Sequence, residues 1–238
     1  EIVTGDWSSD VCSSDLTLPF SLLSPHPVPV ATEEPLNPIP EALDPVRIAE
    51  LAAGERLQLY KEYMSEENAR VRKAHDQGGG GCEVASLRSG VVDVLLRSLF
   101  ETAAIKSNSS NSLTLVANGG YGRGLLNPGS DIDLLFLLSQ PSHNLDTEQK
   151  ELISDILYPL FDLGFKVGHA SRSIPECITE ARRDPITRTS LFDHRKLCGN
   201  ESLYRKFTQR FRQDCINRDQ ALFFEERRSD IEARYRKF

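Results

Sequence analysis

The chain has 238 residues, room for one substantial domain with a helical appendage, and its 28 Lys+Arg against 35 Asp+Glu leave a net charge of −7. A pI near 5.3 argues against a dedicated nucleic-acid binder, which would carry a basic footprint. No apolar run reaches the roughly 20 residues that span a bilayer, and no basic segment with an apolar core opens the chain as a signal peptide would. The expectation is a cytoplasmic protein with neither nucleic acid nor membrane as partner.

Residues 1–16 are Ser/Asp-rich and non-periodic and read as non-native, adapter-derived sequence, which would put the natural start of the gene elsewhere. Residues 17–44 hold Pro19, Pro25, Pro27, Pro29, Pro35, Pro38 and Pro40, an extended leader unable to build a core. From Pro45, apolar residues at helical spacing (Ile48, Leu51, Ala52, Leu59, Tyr63) predict one long helix or two, ended by Gly78-Gly79-Gly80-Gly81. No Lys-Ser/Thr follows these glycines, so they read as a flexible loop rather than a phosphate loop. A second helix is expected from Ser86 to Ile105, with Val91, Val92, Leu95, Leu96 and Leu99 as its stripe. Arg88 would sit in its first turn, either solvated or touching a phosphate. Ser107 to Ser112 is a polar loop.

The central stretch follows. Leu113 to Ala117 predicts a strand, and Asn118-Gly119-Gly120-Tyr121-Gly122-Arg123-Gly124 a tight turn where backbone N–H groups can meet a ligand unobstructed. After turn chemistry at Asn127-Pro128-Gly129, a second strand opens with Asp131 and Asp133 and runs through apolar Leu134 to Leu138. Side chains alternate along a strand, so the two carboxylates project from one face. Either motif alone is ordinary surface chemistry. Together, a Gly turn beside two acids suits Mg²⁺ carrying a nucleoside triphosphate, since Mg²⁺ takes few carboxylates and completes its shell with phosphate oxygens.

Glu148 to Leu163 predicts an amphipathic helix kinked at Pro159, and Phe165 to Arg172 a third strand. This strand–helix–strand order suggests a crossover, right-handed by rule if the strands are parallel. Thr189 to Arg195 reads as a fourth strand. Arg172, Arg188 and Arg195 are candidates for triphosphate contacts or plain surface charges. The tail, 201–238, is charged and helical, with Leu203, Phe207, Phe211, Ile216, Leu222 and Phe223 available to pack; it reads as the start of a truncated helical region. Five scattered cysteines (Cys12, Cys82, Cys177, Cys198, Cys215) without Cys-x-x-Cys spacing read as reduced thiols.

Gly119-Gly120 followed by Asp131-Ile132-Asp133 resembles the DNA polymerase β-like nucleotidyltransferase superfamily. The longer string GGYGRGLLNPGSDIDLLFLL resembles its protein-PII uridylyltransferase/uridylyl-removing family, as does the region LYPLFDLGFKVGHASRSIPECITEARRDPITRTSLFDHRKLCGN. The resemblance implies an α+β fold, a small mixed sheet packed by helices, with an N-terminal helical segment and C-terminal helices around a nucleotidyltransferase domain over 45–200. It implies metal-dependent transfer of UMP from UTP to a tyrosine of the PII protein. Asp131 and Asp133 would hold Mg²⁺; Gly119, Gly120 and Ser130 would cradle phosphate; Arg123 would contact it or brace the turn. Many superfamily members place a third carboxylate on the third strand. Here His169 and Ser171 stand at the candidate positions, and Asp193 is the nearest substitute acid. Members of the family continue into a His-Asp hydrolase domain and ACT domains that this sequence does not include. The alternatives are another nucleotidyltransferase of the superfamily, or a non-catalytic nucleotide-sensing module that kept the fold.

Overall fold

Capping residues set where the first helices begin. The computed structural model describes residues 39–107, 112–217 and 220–236; the adapter-like stretch, the leader up to residue 38 and residues 108–111 of the polar loop lie outside them. Glu41–Leu43 form a 3₁₀ turn with Leu43 fully buried, so the folded region begins before the expected boundary at Pro45. The Asp44 side chain accepts from the Val46 N–H and Pro45 takes the first position of α1 (Pro45–Ala49). Helix α2 (Ala53–Asp76) follows, so the predicted helical stretch is two helices. Gly78, at φ 91°, closes it with the left-handed turn that only glycine adopts freely.

Helix α3 (Gly81–Lys106) starts five residues before the expected Ser86. One left-handed glycine suffices for the turn, and burial of Val84 and Ala85 carries the helix back over the end of the glycine run. Arg88 is therefore not in the first turn; it reaches back to Asn68 of α2, Nη1 to Oδ1 3.4 Å.

Four strands, β1 (Leu113–Ala117), β2 (Ile132–Leu138), β3 (Val167–Ser173) and β4 (Arg195–Gly199), form one sheet in the order β3-β2-β1-β4. β1 is antiparallel to both β2 and β4, whereas β2 and β3 are parallel and joined through α5 (Thr147–Asp162). The architecture is the expected α+β fold with a small mixed sheet.

Period-2 alternation divides β2 between two cores. Ile132, Leu134, Phe136 and Leu138 join Leu95, Leu96 and Leu99 of α3 and Ile156 and Leu160 of α5 on one face. Leu135 and Leu137 meet Ile178 of α6 (Ile174–Arg183) and Leu203, Phe207 and Phe211 of α8 (Glu201–Phe211) on the other. The strand is buried on both sides, which is why its sequence reads as an unbroken apolar run.

The expected fourth strand over Thr189–Arg195 is instead the end of a helix, α7 (Pro185–Phe192), and β4 begins only at Arg195. Asp184 accepts from the Ile186 and Thr187 N–H groups and Pro185 takes the first turn, a helix-start signal that outweighs the local strand propensity. Asn200 caps α8 through the Leu203 N–H. A π-turn (Arg212–Ile216) and α9 (Gln220–Tyr235) complete the chain; Phe223 is buried, Ile216 is partly buried, and the Leu222 side chain lies outside the described residues. Among the described residues no helix is long and apolar enough to cross a membrane.

Candidate active site

The glycine turn after β1 is one turn of helix, α4 (Gly119–Gly122), entered through Gly119 at φ 56°. Its orientation is set from behind by Tyr121, which is fully buried and donates to Asp93 Oδ1 at 2.6 Å. Arg195 forks onto the same carboxylate at 2.7 and 3.0 Å and donates to the Tyr121 and Gly122 carbonyls, each at 3.3 Å. Burial, then the adjoining Asp93 charge, pushes the Tyr121 phenol far up, so it stays a donor. Arg195, a candidate phosphate ligand by sequence, is thus a brace that ties α3, α4 and β4 together.

The other two arginines also have structural partners. Arg188 donates to the Cys215 carbonyl and stacks 4.3 Å over the Phe223 ring. Arg172 lies 4.0 Å from Glu180.

Asp133 projects from β2 on the face it shares with Leu135 and Leu137, and Asp131 stands just before the strand. The Asp133 carboxylate is set between two glycines. A Cβ on Gly119 would lie 3.1 Å from Oδ2 and 3.3 Å from Ser190 Oγ; a Cβ on Gly168 would lie 2.6 Å from Oδ1. Partial burial, and then the charge of Asp131, raises the Asp133 pKa. The two acids are therefore close enough to repel, and a divalent cation between them would relieve that repulsion. The donor set fits a hard cation.

The β2–β3 register settles which third-strand residues face this pair. Asp133 is opposite Gly168, while His169 and Ser171 are opposite Leu134 and Phe136 and so share the other face. His169 and Ser171, the candidates for the third-acid position, point away from Asp133. Asp193 is not on a strand: it ends α7, and its Oδ2 accepts from Arg123 Nη1 at 2.5 Å. Among the described residues no three His, Cys, Asp or Glu side chains gather as a metal-holding group, and the Asp193 carboxylate is engaged by Arg123. This contact ties the glycine turn to the end of α7.

A surface cavity of about 340 Å³ opens beside Asp131, lined by Gly120, Arg123, Ser130 and Asp131 together with Gly81 and Cys82 from the start of α3; Gly119 and Asp133 are not part of its lining. Sequence reading brought the first four together. It missed the start of α3, Gly168, Ser190, Asp93 and Tyr121. Asp93 alone had a visible signal, a carboxylate inside the apolar run Val91-Val92-Asp93-Val94-Leu95.

Gly168→Ala is expected to leave the fold intact, because the clashing group is the free end of a side chain that can rotate away. The displaced Asp133 should then weaken divalent-cation binding about tenfold or more, measured by calorimetry against an unchanged melting curve.

Residues 102–192 match the family model for the nucleotidyltransferase domain. The chain carries a nucleotidyltransferase domain. Its α+β fold and four-stranded mixed sheet agree with a polymerase β-like core. The chain is 38% identical over 168 residues to a bifunctional uridylyltransferase/uridylyl-removing enzyme of Phenylobacterium zucineum, covering 67% of this chain and 17% of that protein. It is 38% identical over 175 residues to the protein of the same name from Rhodopseudomonas palustris, covering 71% of this chain and 18% of that one. The chain thus spans less than a fifth of the length of these relatives. The nucleotidyltransferase domain contains the glycine turn, both acids, Gly168 and Ser190; Arg195 of the brace lies just beyond the matched residues.

Proposed function

We propose that this domain transfers UMP from UTP to a protein hydroxyl, a tyrosine of the PII signalling protein by the family resemblance. The observation that carries the reading is the acid pair, Asp133 seated between Gly119 and Gly168 with Asp131 on the wall of the adjoining cavity. Mg²⁺ held by Asp131 and Asp133 would supply charge neutralisation for the triphosphate. Gly120 leaves the backbone bare at the cavity wall, where a phosphate can approach closely, and Ser130 offers a hydroxyl donor beside it. Arg123, anchored by Asp193, presents positive charge to the same space. The supported reaction is in-line attack of the acceptor hydroxyl on the α-phosphorus with pyrophosphate leaving, driven by positioning and by charge placed where it develops. The free thiols of Cys82, Cys177, Cys198 and Cys215 fit a reducing compartment such as the cytoplasm.

Calorimetric titration of the full chain with UTP, ATP, CTP and GTP, each with and without Mg²⁺, tests this reading. Metal-dependent binding that favours UTP is expected; absence of metal-dependent binding in a folded sample would remove the proposal. Gly120→Ala gives a finer check. Its Cβ would meet nothing closer than Arg123 Nη2 at 3.6 Å, so the free protein has room for it. Melting should hold within about 2 °C, while UTP affinity falls about tenfold as the methyl group blocks the approach of phosphate.

A further inference from the structure

The acid pair offers a cation two carboxylates, and β3 adds no third oxygen, because the residue opposite Asp133 is Gly168. Helix α7 brings one instead. A Cβ on Gly119 would lie 3.1 Å from Asp133 Oδ2 and 3.3 Å from Ser190 Oγ, so the bare glycine leaves a cradle with the carboxylate on one side and a hydroxyl on the other. Two other hydroxyls of α7 are satisfied locally. Thr187 donates to Asp184 Oδ2 at 2.6 Å and Thr189 to the Pro185 carbonyl at 2.8 Å. Ser190 is half-buried, and it does not hydrogen-bond to Asp133, whose carboxylate feels only burial and the Asp131 charge.

A second neutral oxygen belongs to the same face. Asn118 follows β1, its N–H donates to the Asp133 carbonyl at 3.0 Å, and alternation from Val116 puts its side chain on the face of Asp133, Leu135 and Leu137. Asparagine is among the best helix caps, and Asn118 holds the N-cap position of α4, yet its side chain makes no cap bond. It is 8% exposed, and its Oδ1 is buried with no hydrogen-bond partner. Buried oxygens are rarely left so. A serine hydroxyl has one proton to give and two lone pairs to receive with. Turning the Ser190 proton to Oδ1 of Asn118, the residue next to Gly119, would satisfy that oxygen and leave the lone pairs for a cation.

We propose that Ser190 is a neutral third ligand of the divalent cation held by Asp131 and Asp133, with Asn118 as the acceptor that orients its hydroxyl. The inference rests on the metal-dependent reading of the acid pair and adds to it the source of the third protein oxygen. Hard cations such as Mg²⁺ and Mn²⁺ take hydroxyl as well as carboxylate oxygens. A neutral ligand also adds no negative charge where the triphosphate must approach, as a third carboxylate would.

Calorimetric titration of the full chain with Mn²⁺ and Cd²⁺, without nucleotide, tests it. Mn²⁺ should bind the parent; Ser190→Ala should weaken it about tenfold, and Ser190→Thr should keep it, with melting curves unchanged. Ser190→Cys exchanges a hard ligand for a soft one. With Cys12 and Cys82 replaced by Ser, it should weaken Mn²⁺, tighten Cd²⁺ about tenfold and give a thiolate-to-metal ultraviolet absorption that Asp133→Asn removes. Asn118→Ala should weaken Mn²⁺ in the parent but leave Cd²⁺ binding to the Ser190→Cys chain intact, because a thiolate has no proton to place. If Mn²⁺ fails to bind the parent, or binds Asp133→Asn equally well, the metal reading falls and this inference with it. If Mn²⁺ binding needs Asp133 yet ignores Ser190→Ala, or Ser190→Cys gains no Cd²⁺, the acid pair stands and the role of Ser190 is overturned.

Discussion

Replacing Asp131 or Asp133 by Asn is expected to lower nucleotidyl transfer by at least about a hundredfold and to abolish the Mg²⁺-dependent part of UTP binding. The amide keeps the shape and loses the charge, so the effect isolates the cation. Asp133 adds a second signature. Burial and the Asp131 charge raise its folded pKa above the ordinary 3.8, so the folded chain keeps a proton that the unfolded chain has already released. Stability therefore falls as pH rises through that window, and the deficit is complete above the folded pKa. Asp133→Asn should accordingly melt higher than the parent at neutral pH, with the advantage disappearing below the unfolded carboxylate pKa. Metal-dependent binding should weaken on acidification, starting at a higher pH than for an unperturbed carboxylate. Melting curves and UTP titrations from pH 4 to 8 read both effects. A variant that melts below the parent at neutral pH, or retains transfer, would remove Asp133 from its assigned role.

Gly122→Ala is expected to be the most damaging single methyl group in the site. A Cβ there would lie 1.6 Å from the Asp193 carbonyl oxygen and 3.0 Å from that of Ala117. Both neighbours are backbone, so no side chain can rotate out of the way as Asp133 can for Gly168. The chain must instead separate α4 from the end of α7, at a cost of about 3 kcal/mol. For a domain of this size that is a fall of roughly 6–12 °C in Tm, read by thermal denaturation. Because Arg123 pairs with Asp193 across this junction, nucleotide affinity should drop with it.

The brace behind the turn explains why a one-turn helix of glycines can hold a fixed orientation. Asp93 accepts from both Tyr121 and Arg195, and Arg195 in turn satisfies the carbonyls of Tyr121 and Gly122. The charge pair is partly buried and hydrogen-bonded on several sides, the condition under which such a pair rigidifies its surroundings. Its members come from α3, α4 and β4, so a local segment of sequence could reveal only its parts.

The sequence by itself determined what depends on near neighbours. Short apolar runs marked β1 and β2, the segment after Gly164 marked β3, glycine and proline marked the turns, and the two-residue spacing of Asp131 and Asp133 announced the acid pair. These features arise from local sterics and alternation, which a single segment carries whole. Tertiary structure decided the rest. Parallel register puts Gly168, rather than His169, opposite Asp133, and a one-residue shift would have exchanged the two faces of β3. The Asp184 cap made α7 a helix and carried Asp193 to Arg123. Arg195 became a brace because folding brings it to Asp93, 102 residues earlier in the chain. Pairings of that length depend on burial and register summed over the whole sheet, and no local pattern contains that sum.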